Sequence, residues 1–270
     1  MTLLTVYLRR VLSHYELVIA SDSRLSGGQA LDHAQKVFQL GRSDALIAFA
    51  GDTQWAYPLL MQMQRAIENY PFSSSRRLPL SKLKGHTLRV FQQTYDAIHS
   101  LPVGQRHPDK PDNYFLLGGY DWQDDKFKAW RLAFDAGNRR FIFRRLLGAN
   151  ESKFFFSGDN KQAVVDAIRR TRLLLRERDR DGNNIDMEPF EILCEITGDE
   201  RYPGIGGVPQ IGKVYKHLNT QLFQLMWSCN GVSTPHFAGR PLQQGERNSL
   251  PIFDPAKGFY SVREMTALED

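Results

Sequence analysis

The chain has 270 residues, 41% of them hydrophobic and 24% charged, a balance that lets a globular protein bury a core without disulfides or a structural metal. Its 35 basic residues face 30 acidic ones, and the densest basic run, Arg169 to Arg180, is interleaved with Glu177 and Asp179. That pattern reads as a solvated helix face or a subunit contact; with no finger, recognition-helix or RNA motif, nucleic acid is not an expected partner.

Residues 2–9 (TLLTVYLR) and 16–21 (ELVIAS) are apolar and β-branched enough for a hairpin that ends at Asp22. A loop bearing Ser26, Gly27 and Gly28 follows, and residues 37–40 and 45–50 predict a second hairpin. After Gly51 the period changes. Ala56, Leu59, Leu60, Met63 and Ile67 recur at helical spacing, with Asp52 or Thr53 as N-cap. A Pro/Ser/Arg-rich connection, 71–79, leads to a second helix carrying Leu83, Val90, Phe91, Tyr95 and Ile98, weakened by Gly85.

Residues 100–113 are a proline-rich loop, and strands return at 114–121, 126–134, 139–146 and 153–157. Asp159 is then placed to cap a helix through Val164, Ala167, Ile168, Thr171, Leu174 and Leu175. A further helix is expected around 187–197 and closing strands at 208–216 and 220–227. Residues 228–270 read as a C-terminal extension, so the expected organisation is one domain over 1–227 plus that tail. Strands in sequential pairs alternating with paired helices predict an α+β fold.

Only Cys194 and Cys229 are present, without ligand-like spacing, which suits a reducing compartment. No signal-peptide pattern opens the chain, and no apolar run reaches the ~20 residues a membrane span needs. A cytoplasmic protein without membrane contact is expected. No dinucleotide, Walker or HExxH motif occurs, so no cofactor or metal is called for.

Five places carry candidate chemistry. If Met1 is trimmed, Thr2 holds a hydroxyl and a free α-amine on one residue, and an amine of pKa about 7.7–8 can serve as general base near neutral pH. Asp22, in SDSRLSGG, can accept backbone and hydroxyl hydrogen bonds, with Arg24 locking the loop. Lys36, ahead of VFQLG, can pair with a buried carboxylate and lower the pKa of a nearby hydroxyl. Gly51, in AFAGD, can present a backbone N–H to a developing oxyanion. Ser157, in FFFSGDN, can support the site by hydrogen bonding. Taken singly, each reads as an ordinary feature: a Met-Thr start without catalytic meaning, a turn with an ion pair, an exposed strand-end lysine, a tight turn before a helix, a capping turn.

Their succession resembles proteasome β-type subunits and the bacterial HslV-type and Anbu-type relatives. Thr2, VIASDSR, Lys36 before VFQLG, AFAGD opening a helix, the strand LLGGYD and SGDN opening a later helix follow that family's order over roughly residues 2–220. The resemblance implies a four-layer αββα sandwich of the N-terminal-nucleophile hydrolase type. It implies a threonine-dependent hydrolase of peptides or other amides, with Thr2 as nucleophile, Asp22 and Lys36 as its charged partners, Gly51 at the oxyanion and Ser157 in support. It also implies a homo-oligomeric ring or spiral and allows an ATPase partner.

The sequence departs from the family in several ways, among them a longer first hairpin and a longer tail beyond Trp227. The Asp22–Lys36 spacing is shorter, a gap-free pairing of the first strand sets Met1 rather than Thr2 against the family's threonine, and the family's late aspartate has only Asp199 as a candidate. These departures keep open a non-catalytic subunit of the same fold, serving in assembly or binding.

Overall fold

The computed structural model describes residues 1–147, 153–217, 219–229, 231–246 and 249–255. Strands β1 (Leu3–Val11) and β2 (His14–Ser21) form the first hairpin. A small hairpin, β3 (Leu25–Gly27) with β4 (Gln29–Leu31), and a third, β5 (Val37–Gln39) with β6 (Ala45–Gly51), follow. Helices α1 (Thr53–Glu68), α2 (Pro71–Ser74) and α3 (Leu80–Asp96) come next. Strands β7 (Asn113–Asp121), β8 (Lys126–Asp135), β9 (Arg140–Arg145) and β10 (Phe154–Gly158) lead to helices α4 (Lys161–Glu177) and α5 (Glu188–Thr197). The described chain closes with β11 (Gln210–Tyr215), β12 (Asn219–Leu222), β13 (Gln224–Cys229), β14 (Val232–Phe237), β15 (Arg240–Pro241) and β16 (Ile252–Phe253).

These elements make an α+β protein with two five-stranded sheets, β10-β1-β2-β11-β12 and β5-β6-β7-β8-β9. Central strands are buried on both faces, which is why they read as nearly continuous apolar runs rather than as clean alternation. In β1 and β2, Leu4, Val6, Leu17 and Ile19 meet Leu46, Ala48 and Leu116 of the other sheet. The alternate residues Leu3, Tyr7, Val18 and Ala20 pack instead against Ala163, Ala167, Phe190 and Leu193 of α4 and α5. On the second sheet, Ile47, Phe49, Phe115 and Leu117 pack against Leu59, Met63, Leu83 and Phe91 of α1 and α3. Each such fully buried Leu, Ile or Phe contributes roughly 1.5–3 kcal/mol of transfer free energy.

Several expectations change. Asp159 does not cap α4; Asn160 does, its side chain accepting from Ala163 N. The single closing strand expected at 220–227 is two strands in different sheets: β12 pairs with β11, β13 pairs with β14 and β16, and Phe223 between them bonds through its N–H to Ile211 O. The boundary expected after residue 227 falls inside β13, which pairs with β14 and β16, so the described part of the C-terminal segment is built into a four-stranded sheet with what precedes it. Residues 256–270 of that extension lie outside the described residues. Gly85 does not interrupt α3. Within the basic run, Arg170, Arg178 and Arg180 pair with Asp166, Asp199, Glu191, Glu188 and Asp186. No helix of the described residues is long and apolar enough to cross a membrane.

Candidate functional site

Asp22 follows the last residue of β2 and is completely buried. Its carboxylate is satisfied from every side. Leu3 N and Lys36 Nζ donate to Oδ1 at 3.1 and 3.0 Å, while Arg24 N and Gly206 N donate to Oδ2 at 3.2 and 3.3 Å. Lys36, also completely buried, sits just ahead of β5. An ammonium has three N–H donors, and Lys36 finds three acceptors: Asp22 Oδ1, Thr2 Oγ1 at 2.9 Å and Arg24 O at 2.5 Å.

The 14-residue interval between Asp22 and Lys36 is closed by its own hydrogen bonds. Arg24 makes a two-pronged pair with Asp32, Nε to Oδ1 at 2.6 Å and Nη2 to Oδ2 at 2.8 Å, and its Nη1 holds Pro203 O at 2.8 Å. Ser23 Oγ donates to Asp32 O and Ala34 N to Ser23 O. From the other side, Gln210 at the start of β11 clamps the Lys36 segment. Its Oε1 accepts from Lys36 N at 2.9 Å and Val37 N at 3.3 Å, and its Nε2 donates to Ala34 O at 2.7 Å.

Thr2 precedes β1 and is buried, at 4% exposure. Its carbonyl accepts from Asp159 N at 3.3 Å, and a Cβ on Gly158 would overlap that same carbonyl, so β10 approaches as closely as backbone allows. Ser157 lies in this strand opposite Leu4 and is buried. Gly51 ends β6 with φ +97°, where a Cβ would overlap the Asp112 carbonyl oxygen; glycine is required there by the backbone. Thr2, Asp22 and Lys36 are thus joined by direct hydrogen bonds and Ser157 adjoins them through strand pairing. Gly51 makes no hydrogen bond to this cluster among the described residues.

Burial dominates the electrostatics. It pushes the Asp22 carboxyl above its ordinary value, opposed by Lys36 and by the backbone N–H groups of Leu3 and Gly206. Burial likewise lowers the Lys36 ammonium, opposed by Asp22. The Met1 amine is lowered by burial too, with the Asp159 carboxylate opposing the shift.

Asp199 is not part of this cluster. It pairs with Arg170 at 2.7 Å and Arg201 at 2.6 Å, in the ionic network around α4 and α5. Gly206 and Gln210 were not singled out from the sequence. Residues 204–207 (GIGG) are a pattern that permits close backbone approach, whereas a glutamine opening an apolar strand is no signal at all. A cavity of about 870 Å³ lined by Leu8, Tyr15, Tyr120, Phe127 and Tyr215 contains none of the cluster residues. Among the described residues, no group of three or more His, Cys, Asp and Glu side chains could hold a metal ion. No protein-family model matches this chain.

Proposed function

We propose that the chain is an N-terminal-threonine hydrolase of peptide or other amide bonds, built as the four-layer αββα sandwich of N-terminal-nucleophile hydrolases and related to proteasome β-type subunits. The observation that carries the reading is the sharing of Lys36 Nζ between Thr2 Oγ1 and Asp22 Oδ1, with all three side chains buried. An ammonium donating to a hydroxyl oxygen favours its deprotonation, and Asp22 keeps that ammonium in place.

In this reading Met1 is trimmed and Thr2 carries the free α-amine. Thr2 Oγ adds to the substrate carbonyl carbon as its proton passes to that amine. The C–N bond then breaks as the proton passes on to the leaving nitrogen, which leaves an ester on Thr2 and a free amine. Water adds to the ester carbonyl, the Thr2 oxygen recovers its proton, and a carboxylic acid departs. The roles assigned to Gly51 N–H at the oxyanion and to Ser157 as a supporting hydroxyl belong to the same proposal. So do assembly into a homo-oligomeric ring or spiral and service to an ATPase partner.

The second reading is a non-catalytic subunit of the same fold. It is favoured by the engagement of Asp199 with Arg170 and Arg201, which withdraws the one candidate for the family's late acid.

Intact-protein mass spectrometry with a threonine-directed β-lactone or epoxyketone separates the two. The hydrolase reading expects loss of Met1 and one covalent adduct mapped to Thr2, absent in Thr2→Ala. Retention of Met1, or no adduct on folded wild-type protein, favours the non-catalytic subunit.

A further inference from the structure

Met1 occupies a seat with walls of its own. Its α-ammonium donates to Ser26 Oγ, and its thioether sulfur accepts from Asn160 Nδ2 at 3.6 Å. Beside the Met1 side chain lies Gly204, where an added Cβ would overlap Met1 Cε and stand 3.1 Å from its Cβ and 3.2 Å from its Cγ. Gly204 is buried, so this wall is backbone and cannot swing aside.

None of the bonds that hold the walls involves Met1. Ser26 Oγ lies 3.3 Å from Gly204 O, and Arg24 Nη1 holds the preceding Pro203 O at 2.8 Å. Gly206 N is fixed on Asp22 Oδ2, and Asn160 is fixed by capping α4 at Ala163 N. Removing residue 1 would break none of these bonds. Burial and the Lys36 and Arg24 charges oppose the Met1 ammonium and on balance lower it, while Asp159 and, less strongly, Asp22 favour it.

We propose that the vacated seat is a substrate subsite for the N-terminal residue of a peptide, taking its α-ammonium at Ser26 and an unbranched apolar side chain of methionine length between Gly204 and Asn160. Because the position of Gly204 closest to Met1 Cβ and Cγ leaves no room for an added carbon, a branch at the first side-chain carbon is expected to be disfavoured. The proposal deepens the N-terminal-threonine reading and takes its chemistry from it, but the binding it describes is separable.

The test uses full-length Thr2→Ala protein, which keeps a small residue after Met1 and lacks the nucleophile, after mass spectrometry has verified loss of Met1. Saturation-transfer NMR is recorded with methionine amide, norleucine amide, valine amide and N-acetylmethionine amide. Methionine and norleucine amides are expected to bind, with valine amide and the acetylated amide each about tenfold weaker. Adding Gly204→Ala is expected to abolish binding. Adding Ser26→Ala, which introduces no bulk, is expected to erase the difference between free and acetylated amides. Equal binding of all four amides, or binding unaffected by both substitutions, overturns the subsite. If the amides bind as stated but no electrophile labels Thr2 in the wild-type chain, the subsite stands and the hydrolase reading falls. If Thr2 is labelled but the amides do not bind, the subsite alone falls.

Discussion

Lys36 Nζ lies 2.9 Å from Thr2 Oγ1 while the same nitrogen lies 3.0 Å from Asp22 Oδ1. The hydroxyl of the second residue is therefore bonded to one half of a completely buried ion pair. Buried pairs of this kind often contribute no net stability, because desolvating two ions offsets their attraction.

The pH dependence of that pair follows from the two shifts. Asp22 is raised, so between the ordinary aspartate value and its folded value the native chain binds the extra proton, and the stability it contributes falls as pH rises through that window. Lys36 is lowered, so between its folded value and the ordinary lysine value the unfolded chain binds the extra proton, and stability rises with pH there. The wild-type pair is thus least favourable near neutrality. The double variant Asp22→Asn/Lys36→Met is expected to melt at or above the wild type at pH 7, with its advantage shrinking toward pH 4 and toward pH 10. Thermal melts across that range check it. Single Lys36→Met, which strands a buried carboxylate, is expected to cost about 3–5 kcal/mol at pH 7.

Gln210 is a positioning residue for Lys36. Gln210→Ala leaves Lys36 N, Val37 N and Ala34 O without the partners they have here, at a cost on the order of 2–3 kcal/mol. Urea denaturation measures that loss. Glu at this position keeps the two acceptor contacts and loses the donor, so Gln210→Glu is expected to be intermediate in stability. Full stability in Gln210→Ala would show that the clamp contributes nothing.

Among the described residues, the segment after residue 227 meets the site at Gly239. Gly239, buried and at φ +86°, stands where an added Cβ would be 2.6 Å from Ser23 Cβ and 3.2 Å from Gln210 Nε2. Gly239→Ala is expected to displace the Asp22–Arg24 turn and to slow labelling of Thr2 by a threonine-directed electrophile by about tenfold or more. The cost to stability is about 1–3 kcal/mol. Gly245→Ala, with a similar φ of +86° and open space around it, shares the backbone strain and serves as the control. Equal labelling in both variants would detach the C-terminal sheet from the site.

Local pattern accounts for most of the element list. The apolar runs of β1, β2, β6 and β7 and the 3.6-residue spacing of α1, α3 and α4 are properties of short windows, and in the folded chain alternate residues of β1 and β2 enter different core clusters while each helix buries one face. Asp22 and Lys36 could be singled out because each stands at the edge of such a run. The split at Phe223 could not be read, since 220–227 is uniformly strand-like and only its partners, β11 on one side and β14 with β16 on the other, divide it.

What the sequence determined by itself is therefore the hairpins, the helical faces and the polar residues that interrupt them. Tertiary structure alone decided that Gly206, 184 residues from Asp22, donates to its carboxylate, and that Gln210, 174 residues from Lys36, holds its backbone. It also decided that Met1 rests between Ser26, Asn160 and Gly204. Periodicity reports which face of an element is buried; it carries no information on which distant backbone N–H meets a given buried charge, because that pairing is chosen by how the sheets stack.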